Sequence, residues 1–299
     1  MSLSLSPLVR LGTSTWACKG WQGQVYHRQY AKGVFTRECL TEYCEYQYEG
    51  ERLFRTVGND SSFYGPPNVD RLHHYLSQIP EAFEICFKVW EELTIPIYAT
   101  HPRYGSQAGQ RNPRFLDAQF FKDYILTVYH KAQFGSHTGP FLFEFQRHGI
   151  PAGEFCDRLD QFFLGLPREF RYAVEVRNPD LLDMGYYQVL SRHGVAHVYN
   201  HWTGMPSLAD QHARMQDFTA AGFTVLRLLT PLGMSYATAK KRAEPYTKIV
   251  EELPQMRSET VQLVRQAVGA GRRAYVLVNN RAEGNAPLTV QGLVGMLRD

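Results

Sequence analysis

Arg171-Tyr172-Ala173-Val174-Glu175-Val176-Arg177-Asn178, followed by Pro179, is the stretch on which the reading of the fold turns. It is rich in small and β-branched residues and stops at an Asn-Pro pair that cannot continue a ladder, so it predicts a short strand. Side chains alternate along a strand, which sets Ala173, Glu175 and Arg177 on one face and Tyr172, Val174 and Val176 on the other. The segments on either side read as repeated strand-helix units, in which both faces of a parallel sheet are covered. A carboxylate and a guanidinium at the end of such a strand are costly unless paired, and they point to a cavity. A purely structural ion pair is the plainer reading of the same two residues.

Working back from this strand, Pro140–Gln146 forms a strand with Glu144 and Gln146 on one face, and a helix over 153–164 joins the two. Earlier strands are Leu8–Trp16, Arg55–Asp60 and Phe83–Val89, with Lys88 near the end of the third. Helices are expected from Thr36, as N-cap, through Tyr46, from Asn68 to before Pro80, and from Asp117 to about Phe134. Working forward, strands six to eight are Gly194–Asn200, Phe223–Leu229 and Arg273–Asn280. A helix over 255–268 precedes the eighth, and Asn285-Ala286-Pro287 opens the last helix. Three connections are long: from the first strand to Phe35, Trp90 to Leu116, and Thr230 to Pro254 with its run Lys240-Lys241-Arg242. Eight strands, each followed by a helix or a helix-bearing loop, predict a single (β/α)8 TIM barrel in α/β class spanning 1–299, with long loops after strands 1, 3 and 7.

The composition narrows the function classes. Aromatics at 13% and hydrophobics at 44% suffice for a large core, and a net charge of +3 is too small to predict nucleic-acid binding by itself. Five cysteines without a CxxC pair, and an opening Met1–Arg10 stretch without a basic and apolar leader, fit a reduced, cytoplasmic protein. No apolar run approaches the roughly 18 residues of a membrane span.

Barrel active sites lie at the C-terminal strand ends. Reading that end yields Lys88, Glu175, Arg177, Arg227 and Asn280 as the strongest candidates, with Ser14, Trp16, Asn59, Asp60, Glu144, Gln146, Asn200, His201 and Asn279 nearby. Among histidines only His201 falls there, which supplies no zinc-ligand set, and no glycine-rich phosphate loop of Walker or Rossmann pattern is present. No metal and no cofactor is therefore expected. Cys86 alternates with Lys88, but a buried barrel cysteine is the plainer reading than a nucleophile. What remains is acid/base work by Glu175, Lys88 and Asp60, with Arg177 and Arg227 clamping a small anionic ligand. Asn279, Asn280 and Asn200 would add polar contacts, Trp16, Tyr64 and Trp202 flat faces for a sugar or base, and the helix near Asn285 backbone donors. A phosphorylated sugar or nucleotide-like substrate fits this set. The competing class is a nucleic-acid-binding or DNA-processing barrel gripping phosphates with the two basic, Tyr-bearing loops.

Gly12-Thr13-Ser14-Thr15-Trp16 with Trp21 and Gly23, Ser61-Ser62-Phe63-Tyr64, Ala173-Val174-Glu175-Val176-Arg177-Asn178-Pro179, and Asn279-Asn280 before Gly284-Asn285-Ala286-Pro287 together resemble the YecE-like family. That resemblance spans the chain from Gly12 to the final helix and implies a TIM barrel of unknown function. The sequence departs from the family pattern where a strand-two carboxylate becomes Gly58, its asparagine becomes Asp60, and Arg-Leu-His-Gly becomes Arg227-Leu228-Leu229-Thr230.

Overall fold

A computed structural model of the protein describes residues 5–146, 150–215 and 220–298. Its strands are β1 (Val9–Thr13), β2 (Gln47–Tyr48), β3 (Glu51–Arg52), β4 (Thr56–Asn59), β5 (Glu84–Lys88), β6 (Thr138–Phe145), β7 (Tyr172–Val176), β8 (Ala196–His201), β9 (Phe223–Leu228) and β10 (Arg273–Val278). All but the β2–β3 hairpin form one sheet of eight parallel strands, in the order β1-β10-β9-β8-β7-β6-β5-β4, rolled into a nearly closed TIM-barrel-like fold.

Period-two alternation builds two concentric cores. Along β6, Phe141, Phe143 and Phe145 face outward against Phe121, Phe162 and Phe155 of the helical layer. Leu142 faces inward and meets Cys86, Ala173 and Val225 in the barrel interior. The helix Ala152–Leu164 buries Phe155, Leu159, Phe162 and Phe163, the i, i+4, i+7, i+8 stripe that a helix on a sheet requires. Burial of each such aromatic contributes about 1.5–3 kcal/mol.

The seam between β1 and β4 carries no regular ladder among the described residues. Two devices hold it. Arg55 N–H donates to the Leu11 carbonyl at 2.9 Å. The buried Tyr43 hydroxyl accepts from the Thr13 amide at 3.0 Å and donates to the Thr56 carbonyl at 3.3 Å. The close approach needs glycine at position 12, because a Cβ there would lie 2.0 Å from the Thr56 oxygen.

Local expectations fare unevenly. Asn68 caps its helix by accepting from the Arg71 amide, and Asn285 does the same for Leu288. Thr36 is no cap, since the first turn already begins at Phe35. The helix expected from Asp117 to Phe134 is capped by Asp117 but passes through a wider π turn at Lys122–Leu126 and ends at Lys131. The Thr230–Pro254 connection is not irregular throughout: Ser235 caps a helix, Tyr236–Ala243, that carries the Lys240-Lys241-Arg242 run. The Trp90–Leu116 connection likewise holds short helical turns at Glu91–Thr94 and Pro102–Gln107. Among the described residues no helix is long and apolar enough to cross a membrane, and all five cysteines are unpaired.

Candidate active site at the C-terminal strand ends

The inward positions at the ends of β5, β6, β7 and β9 deliver Lys88, Glu144, Glu175, Arg177 and Arg227 to one place. Register sets the arrangement: Glu144 lies beside Glu175 on neighbouring strands, and Asn200 beside Arg227. Two adjacent buried carboxylates repel unless cations stand between them. Arg227 does so, with one terminal nitrogen donating to Glu144 at 3.0 Å and to Glu175 at 2.5 Å. Its other terminal nitrogen donates to Asp60 at 2.8 Å. Arg177 straddles the same pair from above, with Nε on Glu175 at 3.0 Å and a terminal nitrogen on Glu144 at 2.6 Å. Lys88 Nζ completes the set on Glu144 at 2.9 Å, and Gln146 donates to the other Glu144 oxygen.

The network is thus formally neutral, three cations against three carboxylates, and it is layered. Glu144, Glu175 and Arg227 are sealed below, whereas the side chains of Lys88, Arg177 and Asp60 keep 12%, 11% and 36% of their surface exposed. Burial would push the Glu144 carboxyl up, but Arg177, Lys88 and Arg227 overcome it and hold it at about 2. Burial likewise disfavours charge on Arg227, and Glu175, Asp60 and Glu144 more than offset that, so its pKa lies above the ordinary arginine range.

Aromatic rings flank the network on both sides of the mouth. Lys88 sits 3.9 Å over the Phe63 ring, and Phe63 meets Tyr64 edge-on at 5.3 Å, with Tyr64 70% exposed. Opposite, Arg177 stacks 4.0 Å over Trp202, which neighbours Tyr236 at 6.3 Å.

Other sequence candidates are engaged elsewhere. Asn280 accepts from Trp21 Nε1 at 3.0 Å and from the Ala286 amide at 2.9 Å, tying the loop after β1 to the last helix. Asn279 caps a short helical turn by accepting from the Arg281 amide, because β10 ends at Val278, two residues earlier than expected. Trp16 is buried with its ring edge against Tyr75 and its N–H on the Thr36 carbonyl. Asn200 is buried and donates to the Val176 carbonyl at 2.9 Å. His201 is bonded to the Thr230 carbonyl, and burial lowers its pKa. The first amides of the last helix, expected to face an anion, are taken up by the Asn280 and Asn285 side chains. Cys86 is buried within the barrel, and burial pushes its thiol up to about 12, which removes the thiolate a nucleophile needs. Gly58 has the Ser14 backbone 3.0–3.3 Å from where its Cβ would stand, so this barrel has little room for a side chain there.

The family model described as a protein of unknown function, DUF72, matches residues 10–299. The chain belongs to the DUF72 family. Solved DUF72 structures share the fold at low identity. A DUF72 protein of Enterococcus faecalis aligns with a TM-score of 0.66 at 14% identity, covering 96% of this chain and 95% of its own. A second structure of that protein gives 0.61 at 15%, with 97% and 98% covered. A DUF72 protein of Thermotoga maritima gives 0.57 at 18%, with 97% and 99% covered. No protein with a curated description matches the sequence. Among the described residues of this DUF72 chain, no group of three or more His, Cys, Asp or Glu is placed to hold a metal ion.

Proposed function

We propose that the C-terminal mouth of this DUF72 barrel binds a small anionic substrate, a phosphorylated sugar or nucleotide-like molecule, and acts on it by acid/base chemistry carried by side chains alone. The observation that supports this reading is the layering of the ion network. An ammonium has three N–H donors and a guanidinium five, so the rim cations Lys88 and Arg177 retain donors beyond those spent on Glu144 and Glu175. They are held rigidly by the buried carboxylates beneath, which is the preorganisation an anion site needs. Asp60 is the carboxylate of the set that reaches solvent, so proton transfer falls to Asp60 and Lys88, while Glu175 fixes the two guanidiniums from below. Tyr64 and Tyr236, both exposed, offer flat faces beside the charge for a ring.

A nucleic-acid grip by the basic loops has less support. Arg103, Arg111, Arg114 and Arg242 each face a carboxylate of the protein itself.

The test is a thermal-shift screen of phosphorylated sugars and nucleotides with and without a chelator. A ligand at 100 times its dissociation constant stabilises by about 2.7 kcal/mol. Lys88→Met removes a rim cation and keeps the apolar stem, and should weaken that ligand by about 1.5–3 kcal/mol with the chelator making no difference. Unchanged affinity in Lys88→Met, or an absolute requirement for Zn²⁺ or Mg²⁺, refutes the reading.

A further inference from the structure

The two ends of the barrel differ in charge balance. At the opposite, N-terminal end, Arg10, Arg171 and Arg273 converge on a single buried carboxylate, Glu84, at 3.9, 2.6 and 3.0 Å, and Tyr275 donates to it as well. Arg55 stands beside this group. One terminal nitrogen is shared by the Leu5 and Ser6 carbonyls at 3.3 and 3.0 Å, and the other has Glu51 only loosely placed at 3.8 Å. Neutral carbonyls orient a guanidinium without cancelling its charge. Burial, and then Arg10 and Arg298, work against the charge on Arg55 more than Glu51 supports it.

Arg10 and Arg55 line one cleft of about 810 Å³, bounded by the start of β1, the β2–β3 hairpin and the approach to β5. Leu5, Pro7, Phe54, Pro80, Ala82 and Phe83 give it apolar walls, and Arg52, Glu51 and Glu81 also line it, so its charged lining is three arginines against two glutamates. That volume falls in the range of small-molecule sites, roughly 300–1,000 Å³. We propose that this cleft is a second binding site, for a carboxylate-bearing molecule with an apolar body of ring size, its carboxylate on Arg10 and Arg55. The occupant follows from charge complementarity: under-neutralised cations at one wall require an anion, and the apolar walls reward a hydrophobic remainder. The site is independent of the reading at the other mouth.

Titration calorimetry with 2-naphthoate tests it, using 2-naphthalenemethanol as the uncharged analogue. Naphthoate is expected to bind saturably, and the alcohol at least about tenfold more weakly. Arg55→Met should cost naphthoate a similar factor. Ala82→Trp, at an exposed position in the wall, should block the cleft while leaving every charge in place, so it decides the matter should Arg55→Met fail to fold. Lys88→Met, at the far mouth, should bind naphthoate as the parent protein does. No saturable binding, equal affinity in Ala82→Trp, or loss confined to Lys88→Met overturns the proposal.

Discussion

Arg227 shows how the chemistry of one residue changes once its neighbours are known. As a strand-end cation it reads as a ligand clamp, but only 2% of its side chain is exposed and three carboxylates occupy its terminal nitrogens. Its contribution is therefore to hold Glu144 and Glu175 side by side. Arg227→Met leaves two buried carboxylates short of a partner, and breaking a buried pair this way costs about 3–5 kcal/mol. Urea unfolding of the Arg227→Met protein should show a loss of that size even without ligand. A midpoint within error of the parent would mean that the network is not a structural keystone. Glu175, Arg177, Lys88, Arg227 and Asp60 were all legible as strand-end groups. Glu144 was visible there too but stood out less, because no cation lies on its own strand and only the β6–β7 register brings it beside Glu175. Asn280 looked equivalent to the others, yet the chain turns into a helix at that residue and aims the amide at Trp21 and Ala286.

At the level of elements, eight strands announce themselves by their β-branched and aromatic content, while shorter pieces do not. The two-residue strands β2 and β3 are below the length at which alternation can be read, and the helix Tyr236–Ala243 hides in a stretch flanked by glycine and proline. Strand β8 and the helix Leu208–Met215 are joined by a polar contact with a consequence for pH. His197 is buried between the Tyr186 hydroxyl at 3.0 Å and the Gln211 side-chain oxygen at 3.2 Å. Burial lowers its pKa from 6.5 to about 4, against the smaller opposing effect of Gln211. Below pH 6.5 the unfolded chain takes up a proton that the folded one refuses, so stability is full above that value. It then declines as pH falls, levelling off near pH 4 after a loss on the order of 3 kcal/mol. His201 acts in the same direction. Urea midpoints at pH 7.5 and pH 5 should differ in the parent and differ less in His197→Phe, which keeps a ring without a titrating group. An undiminished difference in that variant would exclude His197 as a source of the slope.

For the whole molecule the decisive constraint is closure. Eight strands curve into a barrel only if the first meets the fourth segment of the chain's strand order at backbone distance, and here that meeting is made by Leu11 with Arg55, by Tyr43, and by the absence of a side chain at Gly12. Nothing local to Gly12 reveals this, because the atom it must avoid, the Thr56 carbonyl oxygen, belongs to a residue far along the chain. Gly12→Ala places a methyl carbon 2.0 Å from that oxygen, so the backbones must separate and the Tyr43 bridge must stretch with them. Overpacking of this kind costs about 1–3 kcal/mol, and more where backbone cannot yield. Gly222→Ala is the matched control, since nothing lies within 4 Å of its added carbon and its φ is not in the left-handed region. It should stay within about 0.5 kcal/mol of the parent. The expected outcome in urea unfolding is a clear fall in midpoint for Gly12→Ala alone. Equal behaviour of the two variants would mean that the seam has slack, and that closure of this barrel depends on its loops rather than on the contact between β1 and β4.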